Sequence, residues 1–114
     1  MIESAVISIY LDEYNLKKNS DIFLFMSEYF YQSSNGEYSL DFKNTEISSE
    51  IKIWKDLCKF MKKNMKLIKL IRNDFGYIDF KVMINYSKRN VHVPYEFLKI
   101  VEGLRSTIEV NTIN

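Results

Sequence analysis

Cysteine, histidine, proline and tryptophan occur once each in the 114 residues, and glycine occurs three times. A single cysteine excludes an intramolecular disulfide and any cysteine-rich zinc site. A single histidine means that a Ser/His/Asp triad, a Cys/His pair or a histidine metal site must use His92. Three scattered glycines cannot build a phosphate-cradling loop, so polyphosphate and dinucleotide cofactors are not expected. The scarcity of glycine and proline also argues against low-complexity linkers. Long apolar runs are missing too. The longest spans residues 22–26, whereas a membrane-spanning helix needs about 20 apolar residues. The chain opens on Met1-Ile2-Glu3, unlike a secretory leader with its basic start and apolar stretch of roughly 7–15 residues. The expectation is a soluble, cytoplasmic chain, and the lone Cys58 agrees with a reducing compartment.

What is present is an ordinary globular composition: 46% hydrophobic, 27% charged, and rich in aromatics, with eight Tyr and eight Phe. The length fits one α+β domain over residues 1–114. The net charge of +1 hides a strong asymmetry. Residues 1–51 carry −6, residues 52–72 carry +7, and residues 73–114 balance. Such asymmetry points to a charged partner or to a helix with one solvated lysine face.

Periodicity supplies the elements. Ala5, Ile7, Ile9 and Leu11 alternate with Val6, Ser8 and Tyr10, the pattern of a strand with one buried face. Residues 12–19 are polar and read as a loop. Ser20 and Asp21 are capping residues for a helix over 21–31, in which Ile22, Phe23, Phe25, Met26, Tyr29 and Phe30 recur at helical spacing. The aromatic richness of that stretch, and the hairpin signal Asn35-Gly36 after it, leave a strand open as the alternative. Tyr38, Leu40 and Phe42 mark a second strand.

Thr45 and residues 48–50 start the longest helix. Ile51, Trp54, Cys58, Met61, Met65 and Ile68 form its apolar stripe, widened by Ile53, Leu57 and Phe60. Lys52, Lys55, Lys59, Lys62 and Lys66 fall opposite. Asn64 marks a bend, and a helical pattern continues to Asn73. Phe75-Gly76 is a stop. Next comes the cleanest alternation: Ile78, Phe80, Val82, Ile84 and Tyr86 on one face, Tyr77, Asp79, Lys81, Met83 and Asn85 on the other. Residues 87–90 read as a turn. Pro94 suits the first position of a helix whose buried side is Tyr95, Phe97, Leu98, Val101 and Leu104. Residues 107–113 close the chain as a strand, with Ile108 and Val110 inward. The order βαβα(α)βαβ predicts a two-layer α+β sandwich, a four-stranded, mostly antiparallel sheet with helices packed on one face.

The second half resembles a known family. Leu67-Ile68-Lys69-Leu70-Ile71, Phe75-Gly76-Tyr77-Ile78-Asp79-Phe80, Val93-Pro94, the helix Phe97-Leu98-Lys99-Ile100-Val101-Glu102-Gly103-Leu104 and the strand Ile108-Glu109-Val110 carry the resemblance, together with the first strand. It is to small bacterial α+β proteins that include candidate toxin-immunity proteins. The resemblance is one of element order and periodicity. It implies a stoichiometric inhibitor with a toxin domain as partner, and it transfers no functional residues.

Little else in the sequence points to chemistry. His92, between Val91 and Val93, reads as a loop residue. Cys58 sits in the apolar stripe and reads as core, not nucleophile. Asp41-Phe42-Lys43 and Asp79-Phe80-Lys81 each have the acid-x-Lys spacing of a metal-dependent nuclease half-site. Strands with a charged outer face produce that spacing by chance, so no catalytic residue, metal ligand or cofactor is assigned. Two surfaces remain. The outward strand positions Ser8, Tyr10, Tyr77, Asp79, Lys81, Met83, Glu109 and Asn111 suit a protein interface, and the acidic set Asp12, Glu13, Asp21, Glu28, Glu37, Asp41 and Glu46 suits a partner that is itself basic. Lys52, Lys55, Lys59, Lys62, Lys66 and Lys69 form the alternative, a face for nucleic acid.

Overall fold

In a computed structural model, the structure describes residues 2–43, 50–75, 77–85 and 92–113. Five strands form one sheet: β1 (Ile2–Tyr10), β2 (Tyr31–Ser34), β3 (Glu37–Lys43), β4 (Tyr77–Asn85) and β5 (Thr107–Ile113), in the spatial order β2-β3-β1-β4-β5. Three neighbouring pairs are antiparallel, and β4 with β5 is parallel. Parallel neighbours need a crossover, and here it is the helix α5 (Tyr95–Gly103).

The register puts Ala5, Ile7 and Ile9 of β1 opposite Phe42, Leu40 and Tyr38 of β3 and opposite Val82, Phe80 and Ile78 of β4. That face carries the core. Over it lie α2 (Ser20–Tyr29), α3 (Glu50–Lys63), α4 (Met65–Leu70) and α5. They bury Ile22, Phe25, Ile53, Leu57, Met61, Ile68 and Phe97 against Ile7, Ile9 and Phe80. The apolar stripe at 54, 58, 61 and 68 is buried as its spacing predicts. The molecule is α+β, with helices on one face of the sheet.

Several local expectations are corrected. Residues 13–18 form a short helix, α1 (Glu13–Lys18), instead of a loop. Asp12 caps it, its Oδ1 accepting from the Asn15 N–H at 2.7 Å, and Glu13 pairs with Lys17 at 3.0 Å. The helix after it is capped by Asn19, not by Ser20 or Asp21: Asn19 Oδ1 accepts from the N–H groups of Asp21 and Ile22. That helix ends at Tyr29, so Tyr31 belongs to β2. The helical and hairpin signals were therefore both real, one following the other. The fifth strand is the result, and it pairs the outer side of β3. Only Gly36 in the turn has a positive φ, at +78°, and a register shift between Gln32 and Ser34 accompanies the turn.

The long helix is three pieces. Asn64 interrupts it, with φ −111° and its Nδ2 donating to the Phe60 carbonyl at 3.0 Å. Residues Ile71–Phe75 wind as a π-helix. Pro94 is the N-cap of α5 and not its first helical residue. The left-handed residue that ends α5 is Arg105, at φ 52°. Arg105 N–H donates to Glu102 O and Ser106 N–H to Val101 O, a Schellman motif. Val110 lies on the core face by register but is 48% exposed, because β5 is the edge strand. The expected features at Thr45, Glu46, Ser48, Gly76, Tyr86 and the turn 87–90 lie outside the described residues.

Candidate interaction surface

The strand alternation sends every second residue to the face away from the helices. On it the register aligns rows across the sheet. Tyr31, Ser39, Ser8, Asp79 and Thr107 form one row. Glu37, Tyr10 and Tyr77 form a second; Asp41, Val6, Lys81 and Glu109 a third; and Met83 stands between Ser4 and Asn111. The outward set read from sequence is thus brought together by backbone pairing: Tyr10 meets Tyr77, Asp79 meets Ser8, and Lys81 and Met83 follow along β4.

Two carboxylates on this face are held by hydroxyl donors. Thr107 Oγ1 donates to Asp79 Oδ1 at 2.7 Å, and the Tyr31 hydroxyl donates to Asp41 Oδ2 at 3.0 Å. The bond to Asp41, with a smaller effect of burial, pushes the Tyr31 phenol above its ordinary value of 10.0. At the centre of the sheet Ser8 is only 1% exposed and its Oγ has no hydrogen-bond partner among the described residues, while Ser39 Oγ donates to Ser33 Oγ at 2.8 Å. The accessible chemistry therefore lies around that centre, at Tyr31, Thr107 and Glu109, which are exposed, and at the half-exposed Tyr10, Asp41 and Asp79. Glu109 was expected on this face and Asp41 in the acidic set for a basic partner, whereas Tyr31 and Thr107 were not assigned to it. The signal for Tyr31 was hidden by the helical reading of residues 21–31.

Asp12 and Glu13 do not join this face. They open α1 beyond the end of β1 and line a cleft with Phe23, Gln32 and Tyr38, the last of which belongs to the core side. Both carboxylates are also engaged locally, by Asn15 and Lys17. The two acid-x-Lys pairs do not converge either. Asp41 and Asp79 stand on β3 and β4, with β1 between them and two residues of stagger. At about 4.8 Å per strand spacing, that separation is more than roughly 10 Å, too far for one metal ion to bridge. Among the described residues no group of three or more His, Cys, Asp or Glu could hold a metal ion.

The six lysines are all exposed, but the break at Asn64 divides them. Lys52, Lys55, Lys59 and Lys62 ride on α3, and Lys66 and Lys69 on α4. Lys62 forms an ion pair with Glu96 of α5. Lys66 faces the Asp21 and Glu28 side of α2, whereas Lys69 lies beside Lys99.

Cys58 and His92, read as core and loop residues, line one pocket with Trp54. Cys58 is 6% exposed, and burial raises its thiol above the ordinary value, partly offset by the Lys62 charge. That is the opposite of what an activated nucleophile needs. Among the described residues no helix is long and apolar enough to cross a membrane. No family model, no curated protein and no solved structure matches the chain.

Proposed function

We propose that this protein is a non-enzymatic, protein-binding domain of the immunity type, which neutralises a basic toxin domain by stoichiometric contact with its uncovered sheet face. One observation carries this reading. The register gathers Tyr10 and Tyr31 with Glu37, Asp41, Asp79 and Glu109 on the face that no described helix covers. Tyrosine anchors beside oriented carboxylates suit recognition of a cationic protein surface. Thr107 and Tyr31 hold two of those carboxylates in place, which lowers the ordering cost on binding.

The test is capture from nuclease-treated lysate of the source cells, followed by calorimetry with the captured protein. One basic protein, bound one to one, is expected. The triple variant Asp41→Lys, Asp79→Lys, Glu109→Lys is expected to keep its fold and lose at least about 100-fold in affinity, a typical cost for reversing several interfacial charges. Unchanged affinity in that variant, and in one reversing Asp12 and Glu13, would overturn the reading.

A second reading has its own observation. Lys52, Lys55, Lys59, Lys66 and Lys69 have no acidic partner within ion-pair distance among the described residues. Such a face attracts phosphates, with affinity falling steeply as salt rises. Binding to DNA or RNA at about 50 mM salt, lost by about 200 mM, is its expected signature. No binding at the lower salt removes it.

A further inference from the structure

The two edges of the sheet are built differently. β2 closes one side with four residues and a register shift between Gln32 and Ser34. Short, irregular strands are one way natural sheets blunt an edge. β5 closes the other side with seven residues, Thr107–Ile113, in unbroken register with β4. It holds no lysine and no proline, and Glu109 is its one charged residue. No described strand pairs its outer side. A strand of that length and regularity is a template for another strand.

The helix beside this edge is uncovered in the same direction. Glu96 of α5 pairs with Lys62 of α3, and Ile100 and Gly103 border a cleft with Met65 and Lys69 of α4. That side of α5 therefore turns to the other helices. Phe97 meets the sheet, its ring 5.0 Å from Phe80 of β4. At about 100° per residue, Leu98 falls on the flank opposite Glu96 and Ile100. Because α3 packs over β1 and β3, that flank lies on the β5 side. Leu98 is 43% exposed, and Val110, on the core face of β5 by register, is 48% exposed. Together they leave an apolar margin along the edge.

The sequence of β5 suits a second copy of itself. Val110 is the midpoint of the strand, so antiparallel pairing about a two-fold axis there uses all of it. Val110 then meets Val110 of the second copy on the helix side, and Glu109 meets Asn111 of the second copy on the other. No like charges face each other, whereas an axis at Glu109 would oppose two carboxylates. β5 is roughly 23 Å long, and strand plus helix stand about 20 Å tall. The margin is thus on the order of 500 Å² per copy, short of the roughly 800 Å² per partner of a standard stable interface.

We propose that this chain forms a reversible two-fold dimer through β5, the two sheets joined edge to edge with α5 of each copy alongside. Both uncovered sheet faces then lie on the same side, so the dimer neither needs nor blocks a protein partner there.

Sedimentation equilibrium of the full chain from about 1 to 300 µM tests this, with an expected Kd on the order of 10–100 µM. Val110→Lys sets two ammonium groups at the axis and is expected to weaken the dimer at least about tenfold, with an unchanged circular dichroism spectrum. Leu98→Glu is expected to weaken it as well. Cysteine substitution reads the register and decides the point even if Val110→Lys loses its fold. Val110→Cys is expected to oxidise to a covalent dimer, because residue 110 faces itself. Glu109→Cys is not, because its two copies stand diagonally, about 7–8 Å apart. Cys58 is buried and stays out of the reaction. A chain that remains monomeric to about 300 µM would overturn the proposal. So would a dimer untouched by Val110→Lys, or one that Glu109→Cys locks and Val110→Cys does not.

Discussion

Single residues hold strain and unmet hydrogen bonds that mutation can expose. Arg105 adopts φ 52° to close the Schellman motif after α5. A non-glycine residue there is disfavoured by about 1–2 kcal/mol, while glycine costs more on leaving the unfolded state. Arg105→Gly is therefore expected to stabilise the fold by roughly 0.5–1 kcal/mol, seen as a higher denaturation midpoint. Two residues earlier, Gly103 is helical and has nothing within 4 Å of where a Cβ would stand. Gly103→Ala is expected to add about 0.5–1 kcal/mol. Ser8 keeps a buried hydroxyl without a partner among the described residues, and Ser8→Ala is expected to be neutral or stabilising by up to about 1 kcal/mol. Tyr31 offers a pH test. Its folded phenol titrates above the ordinary value, chiefly because its proton is shared with Asp41. The stabilisation is complete below the unfolded pKa and is lost as pH rises through the folded one. Phenolate absorbance of Asp41→Asn, compared with the parent, is expected to show one tyrosine ionising at lower pH.

At the scale of elements, an aromatic cluster holds the sheet to the helices above it. Phe60 of α3 packs its ring 5.2–6.2 Å from Tyr29, Phe25, Phe42 and Phe30. Those partners come from α2, from the residue after it and from β3. Phe60→Ala is expected to cost about 2–4 kcal/mol by chemical denaturation, the lower end reflecting its partial exposure. The β2–β3 hairpin depends on a different device. Gly36 sits at φ +78°, and its carbonyl accepts from Leu11 N–H at 3.1 Å. Gly36→Ala is expected to destabilise by about 1 kcal/mol through backbone strain.

At the scale of the whole molecule, the acidic first half divides: Glu37 and Asp41 lie on the sheet face away from the basic helices, while Asp21 and Glu28 ride on α2 near Lys66. Strand β3 brings Glu37 and Asp41 to the sheet face away from the helices, joined there by Asp79 of β4 and Glu109 of β5, whereas the lysines ride on helices over the opposite face. A polyanion and a basic protein would thus approach from different directions. Charge reversal on the sheet face is expected to leave the salt dependence of any nucleic-acid binding unchanged, measured by titration at several salt concentrations.

The amphipathic patterns were legible in the sequence itself, because side-chain alternation and helical spacing are local properties of the backbone. Residues 5–9, 78–80, 53–68 and 97–101 bury the side their periods single out. The uncovered face was legible as well, since a strand with one apolar side leaves the other outward. Tertiary structure decided what depends on distant partners. It added β2, because the outer side of β3 offers a ladder that residues 31–34 complete once α2 has ended. It aligned β5 parallel to β4, a choice imposed by the α5 crossover. It parted Asp12 and Glu13 from Asp79, because a two-residue step beyond β1 turns the chain into α1. It also joined Trp54 and Cys58 to His92 and Pro94, more than thirty residues away in sequence. Periodicity places a residue on a face, but only packing determines which other faces it meets.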